Sequence, residues 1–246
     1  MLELSIVIVI LGLVSVLGLE TALQFIGQRA YKETQAKLVI IDQALVQFYK
    51  VNGRLPLPAN RLTSSSNINY GLEAGVRIYN VPPISVIAGT VPFRALNLPM
   101  SVSLDSYGNK INYYVSRPLA YAVEFAAGPP AIEIRSGKLE QPCSTQCTVL
   151  ADPAATPSTG AAYAVFSNGF DKRGAVNKNG TPKAICADAG DVRIDSQNCL
   201  ALAGGGPLGI GGTIAANVLY DSRYNTGSVA ASYYDDAIIW RLKGQL

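Results

Sequence analysis

The stretch that most constrains this chain is its beginning. Met1 to Leu19 reads MLELSIVIVILGLVSVLGL, almost unbroken in apolar character and carrying one charge, the carboxylate of Glu3. It continues without proline into ETALQFIGQRAYKETQAKLVIIDQALVQFYKVNG, where Leu23, Ile26, Ala30, Leu38, Ile41, Leu45 and Phe48 recur at helical spacing. Gln28, Lys32, Glu33, Gln35, Gln43 and Gln47 take the other faces, and Glu33 and Lys37 form an i,i+4 pair. The pattern predicts one helix that closes at Asn52-Gly53, with Gly53 as its left-handed cap and Pro56 and Pro58 blocking any extension. Three segments follow: an apolar helical half over 1–19, an amphipathic half over 20–53, and a head over 54–246 carried on that spine.

About 20 apolar residues at 1.5 Å rise match a hydrocarbon core about 30 Å thick, and Met1–Leu19 just reaches that length. A secretory signal peptide would show a basic start, a shorter apolar core and a small-residue cleavage site. Here no Lys or Arg precedes the run and the first positive charge is Arg29. Membrane anchors keep basic residues on the cytoplasmic side, so the expectation is that a basic leader has been removed. Glu3 has two readings. It is either a carboxylate resting at head-group level, or an intramembrane acid neutralised by the helix dipole and a free α-amino group, its own or a neighbouring subunit's.

Histidine is absent, which removes the commonest general base and the commonest metal ligand together. The net charge of +3 is small and no Lys/Arg cluster of the phosphate-tracking kind occurs, which argues against nucleic acid as a partner of the head. Four cysteines stand as Cys143…Cys147 and Cys186…Cys199. Neither spacing is that of a zinc site and no histidine could complete one. Local pairing reads as two disulfides, Cys143–Cys147 and Cys186–Cys199, in an oxidising compartment. Two other pairings, and free buried thiols, remain alternatives.

Beyond Gly53 the chain changes character. Residues 54–105 are rich in Pro, Asn, Ser and Gly and predict a long surface connection, with Phe93–Pro99 as a short helix or turn. Asp105-Ser-Tyr-Gly108-Asn is a turn signal before an Ile111–Val115 strand, and further strands are expected at Leu119–Phe125, Ala131–Arg135, Ala161–Ser167 and Asp235–Leu242. Ser136–Pro157 and the Gly-rich stretch to about Gly227 read as loops, each holding one cysteine pair. The fold class predicted is α+β: a long N-terminal helix packed on a C-terminal antiparallel sheet domain with long loops.

The string Leu2-Glu3-Leu4-Ser5-Ile6-Val7-Ile8-Val9-Ile10-Leu11-Gly12 resembles the class III-type N-terminus of type IV pilins and type II secretion pseudopilins. In that family a prepilin peptidase cuts after Gly and the new first residue is N-methylated. The chain starts two residues short of the family's usual distance to the acid, and it lacks the proline often found near Glu20. Ala36–Pro58 is similar to the helix exit of large pseudopilin-like proteins. Asp105-Ser-Tyr-Gly108-Asn109, followed by Ile111 and Tyr113, resembles the Asp-x-Trp-Gly-Asn/Thr segment of major pseudopilins. Ser167-Asn-Gly169-Phe-Asp171 with Asp235-Asp236-Ala-Ile238 resembles their Ser-x-Gly-x-Asp-Gly…Asp-Asp-Ile segment, except for Lys172 where Gly is usual and a long insertion between the halves. The resemblance implies the pilin fold and a structural calcium on Asp171, Asp235 and Asp236. Calcium takes six to eight oxygens, several of them carboxylate, and the same residues also serve solvated turns.

No G-x-S-x-G, no histidine-served nucleophile, no recognisable carboxylate pair and no Walker-type loop occurs; Gly204–Gly212 is glycine-rich but has no Lys-Ser/Thr after it. The chain is therefore expected to be a non-catalytic subunit. An apolar helix of this kind can sit in lipid or at the centre of a bundle of its own copies, two environments of similar polarity. Gly12, Ser15 and Gly18, at three-residue spacing, would allow close helix approach, and pairing of Glu3 with an N-terminal amine, that of Met1 as the chain is numbered, would fix axial register. The expected partners are copies of itself in a helical filament, the inner membrane before assembly, prepilin peptidase, and the pilus or secretion assembly machinery. The filament is expected at the cell surface, with a periplasmic pseudopilus as the alternative. A membrane-anchored binding domain that never polymerises and a tip subunit with adhesive loops are the rivals.

Overall fold

In the computed structural model helix α1 runs unbroken over Leu2–Asn52, about 77 Å at 1.5 Å per residue. The structure describes residues 2–74, 86–121, 130–136, 148–183, 218–221 and 235–246, with the side chains of α1 described from Ile26 onward. The helix ends as its sequence dictates. Gly53 takes φ +66°, its N–H donates to the Tyr49 carbonyl at 2.8 Å, and the Asn52 amide donates to Phe48 O at 2.9 Å. Leu38, Ile41 and Leu45 are fully buried, each contributing about 1.5–3 kcal/mol of apolar burial. Ile26, expected on the same stripe, is 63% exposed. The first described α1 side chain to join the core is Tyr31, more than a turn further on.

The head is built on two sheets. The larger has strand order β1-β2-β5-β7, from β1 (Val86–Thr90), β2 (Asn112–Ser116), β5 (Ala161–Ser167) and β7 (Ala237–Leu242), all neighbours antiparallel. The smaller has order β4-β3-β6, from β3 (Glu133–Ser136), β4 (Thr148–Ala151) and β6 (Val218–Asp221), with β3 and β6 parallel. The α+β class thus holds, while the second sheet is mixed rather than purely antiparallel. Alternation along β2 and β5 sorts their side chains. Tyr113, Val115, Tyr163 and Val165 join the α1 core, whereas Tyr114, Ala164 and Phe166 pack with Ile134, Ala151 and Leu219 of the smaller sheet and with Ile132 just before β3. The larger sheet is therefore covered on both faces, which is why β2 and β5 are buried at every position. Ser116 stitches the layers, donating to Ala161 O at 2.9 Å and accepting from Ala131 N at 2.7 Å.

Several boundaries differ from the sequence reading. The 54–105 connection contains β1, which pairs with β2 along its free edge, and Ala59 bridges to Thr90. The strand expected at Leu119–Phe125 does not start there: Arg117–Ala120 forms one helical turn, α2, with Pro118 near its start. The rest of that stretch lies outside the described residues. Phe93–Pro99 is a turn closed by Leu96 N to Pro92 O and Leu98 N to Phe93 O.

Candidate functional site

The residues expected to drive assembly sit on the backbone of α1. Glu3, Gly12, Ser15 and Gly18 fall inside one uninterrupted helix, in which three-residue steps keep Gly12, Ser15 and Gly18 on one side. Met1, the four cysteines and Gly204–Gly212 lie outside the described residues. Among the described residues no helix is long and apolar enough to cross a membrane; the run at 1–19 precedes the first described side chain.

α1 is fastened to the head by a polar clamp that the sequence reading passed over. Asp42, 4% exposed, accepts Nε and Nη2 of Arg241 at 2.7 and 2.6 Å, and the Tyr163 hydroxyl donates to its Oδ1 at 2.6 Å. The carboxylate holds the Arg241 guanidinium firmly protonated, and burial followed by the Asp42 carboxylate pushes the Tyr163 phenol well above its ordinary range. The signal available was an acid set between Ile41 and Leu45 on the core-facing stripe. Near the helix exit, Arg54 pairs bidentately with Glu73 at 2.9 and 3.2 Å, and Glu73 also accepts Leu57 N at 3.0 Å.

The three loop segments singled out by sequence converge at one end of the larger sheet. Buried Asp105 accepts the amides of Tyr107 (2.9 Å) and Asn109 (2.8 Å) on Oδ1, and Ser167 Oγ donates to its Oδ2 at 2.8 Å. Burial raises the Asp105 carboxyl above the usual range despite these bonds. Tyr107 and Phe170 meet edge to face at 5.9 Å, with Phe170 63% exposed. Asp235 Oδ2 accepts the amides of Phe170 (2.6 Å) and Asp171 (3.0 Å). Thr34 Oγ1 donates to Ser106 Oγ at 3.1 Å, linking this junction to α1.

The described residues of the junction do not by themselves assemble the expected calcium site. Asp171 Oδ2 is ion-paired with Arg173 Nε at 3.0 Å, and Asp171 Oδ1 accepts the Arg173 amide at 3.0 Å. Asp235 uses one oxygen on two backbone donors, while its buried Oδ1, like Asp171 Oδ2, has no hydrogen-bond partner; Asp236 is also buried. Among the described residues no group of three or more Cys, Asp or Glu is arranged to hold a metal ion.

Beside the junction lies a second feature the sequence reading missed, a buried ammonium. Lys110, 3% exposed, donates to Arg61 O and Thr63 O, both at 2.7 Å, and stands 4.9 Å from the Tyr70 ring centroid. Burial, and then the nearby Arg61 guanidinium, pull the Lys110 ammonium down to about 8. Two of its three donors go to the 61–63 backbone, which reads as anchoring of the connection.

No family model, curated protein or solved structure matches the chain.

Proposed function

We propose that this chain is a structural, non-catalytic subunit of a type IV pilus-like filament, with a pilin fold, polymerising through its N-terminal helix. One observation carries the reading: the apolar run at 1–19 belongs to the same unbroken helix whose C-terminal half is built into the head. A helix so arranged presents an apolar rod and a separate folded cap, the geometry needed to bundle rods at a filament centre and tile caps outside. Support comes from Ile26, Val39, Ile40 and Val51, apolar positions of α1 left exposed in the single chain. It also comes from convergence of the 105–109, 167–171 and 235–236 segments, which carry the resemblance in sequence, into one junction.

On this reading the membrane stores the subunit until a stacking neighbour offers an amine to Glu3, and the correctly registered contact removes the cost of a buried carboxylate. The Asp42–Arg241–Tyr163 clamp then transmits load from rod to head. Glu3→Ala in the producing cell should collapse filament yield in negative-stain electron micrographs. Normal yield would overturn the register mechanism. Filaments intact in length and number after deletion of the gene would overturn the major-subunit assignment.

A further inference from the structure

We infer that the face of α1 turned away from the head, over Ala36–Gln47, is the seat of the apolar 1–19 run of a second copy of this chain. This deepens the filament reading and rests on it. The face stands out by its lack of charge. Every exposed α1 residue from Gln35 to Gln47 is uncharged: Gln35, Ala36, Val39, Ile40, Gln43 and Gln47. Val39 and Ile40 are 44% and 43% exposed. The stretch holds two charged residues, and both are engaged elsewhere. Half-buried Lys37 pairs with Glu33 at 3.0 Å, and Asp42 is buried in the Arg241 clamp. A helical face kept for water carries charge, as this helix does just below, at Arg29, Lys32 and Glu33, and just above, at Lys50.

The layout of the face suits a helix as its partner. Ala36, Ile40, Gln43 and Gln47 follow in steps of four, three and four, the spacing of a helix–helix seam. At about 100° per residue they lie on the side opposite Leu38, Ile41 and Leu45, which are fully buried against the head. Counted down the unbroken backbone in the same steps, the seam arrives at positions 19, 15 and 12. Lipid cannot be the occupant. Ala36 lies about 25 Å along the helix above Leu19, beyond the head groups of a bilayer whose hydrocarbon the 1–19 run fills. The 20–33 part of another copy is equally unsuited, since it would press Glu20, Arg29, Lys32 and Glu33 against uncharged side chains. The 1–19 run matches in polarity, and its small residues Gly12, Ser15 and Gly18 allow close helix approach to the Ile40 seam. The two segments are centred about 45 Å apart along α1, so the second copy is displaced by about that distance along the filament axis.

The test places a photo-crosslinking amino acid at position 40 in the producing cell and maps the joined peptides by mass spectrometry, alongside filament counts for Ile40→Glu and Ile40→Gln. Expected are joints from position 40 to residues 1–19, a reach that one straight helix cannot make within itself. Ile40→Glu should lose its filaments, and Ile40→Gln, which adds no charge, should keep wild-type numbers. The purified Ile40→Glu chain should melt within about 2 °C of wild type, which separates a lost docking surface from a misfolded head. If it melts far lower, the crosslink map alone decides. Joints confined to the 36–47 stretch of another copy or to a different protein, or wild-type filament numbers in Ile40→Glu, would overturn the inference and leave the proposed function standing. Wild-type filaments that lack this chain would overturn both.

Discussion

Removing Arg241 should loosen the spine from the head, and the structure sets the scale. The Asp42 side chain is 6% exposed and accepts three hydrogen bonds, two from Arg241 and one from the Tyr163 hydroxyl. Breaking a buried ion pair by deleting one partner costs about 3–5 kcal/mol, because the other charge is left stranded. The Arg241 side chain is 35% exposed, so solvent screens part of the attraction and the expected cost of Arg241→Ala falls to about 2–3 kcal/mol. Asp42→Ala strands no charge in the interior, since Arg241 can turn to water. It leaves the fully buried Tyr163 hydroxyl short of its best acceptor, at about 1–3 kcal/mol. For a chain of this size these losses correspond to about 2–12 °C in Tm. The assay is thermal and urea unfolding of the two single variants and the double variant. Because both substitutions remove one interaction, the double should lose less than the sum by about 1.5 kcal/mol or more. Additivity within about 0.5 kcal/mol would refute the clamp as a coupled unit.

Two further expectations concern the junction and its neighbour. Lys172 holds a left-handed backbone that costs an L-residue about 1–2 kcal/mol. Lys172→Gly should therefore leave stability unchanged or raise it by up to about 1 kcal/mol, and a loss larger than that in urea unfolding would show that the lysine side chain has a further role. For Lys110 the folded value of about 8 lies below the ordinary 10.5, so between those pH values the unfolded chain holds a proton that the folded chain has released. Stability contributed by this group accordingly rises with pH across that window. Urea unfolding of wild type and Lys110→Met over the window should show a wild-type advantage growing with pH, and parallel profiles would contradict the assignment.

Much of the fold could be read from local pattern, and the exceptions have a common cause. Ala161–Ser167 is a strand at the expected residues because its short apolar and aromatic side chains suit burial on both faces. The stop at Asn52-Gly53 follows from a cap chemistry confined to a few neighbouring residues. β1 escaped because Val-Ile-Ala-Gly-Thr is brief and sits among prolines; it exists by pairing with β2, a partner that composition does not announce. β6 escaped for a stronger version of that reason, since its parallel neighbour β3 is distant in sequence. At Leu119–Phe125 apolar content pointed to a strand, but Pro118 and the exit from β2 favour a helical turn over Arg117–Ala120. The junction was legible as three Asp-rich turns, yet its cation was not. Arg173 looks like an ordinary loop residue until the backbone at Gly169 and Lys172 brings it onto Asp171. Asp42 stood in plain sight, and only the tertiary fold supplies Arg241 across the length of the chain.

The central claim, polymerisation through the N-terminal helix, is tested most directly by a cryo-electron microscopic reconstruction of filaments from the producing cell. The account predicts a core of helices formed by residues 1–19, Glu3 placed beside the amine of a stacked neighbour, and heads tiled outside. A filament without this chain in its core, or a purified chain that stays monomeric with residues 1–19 facing lipid, would contradict it.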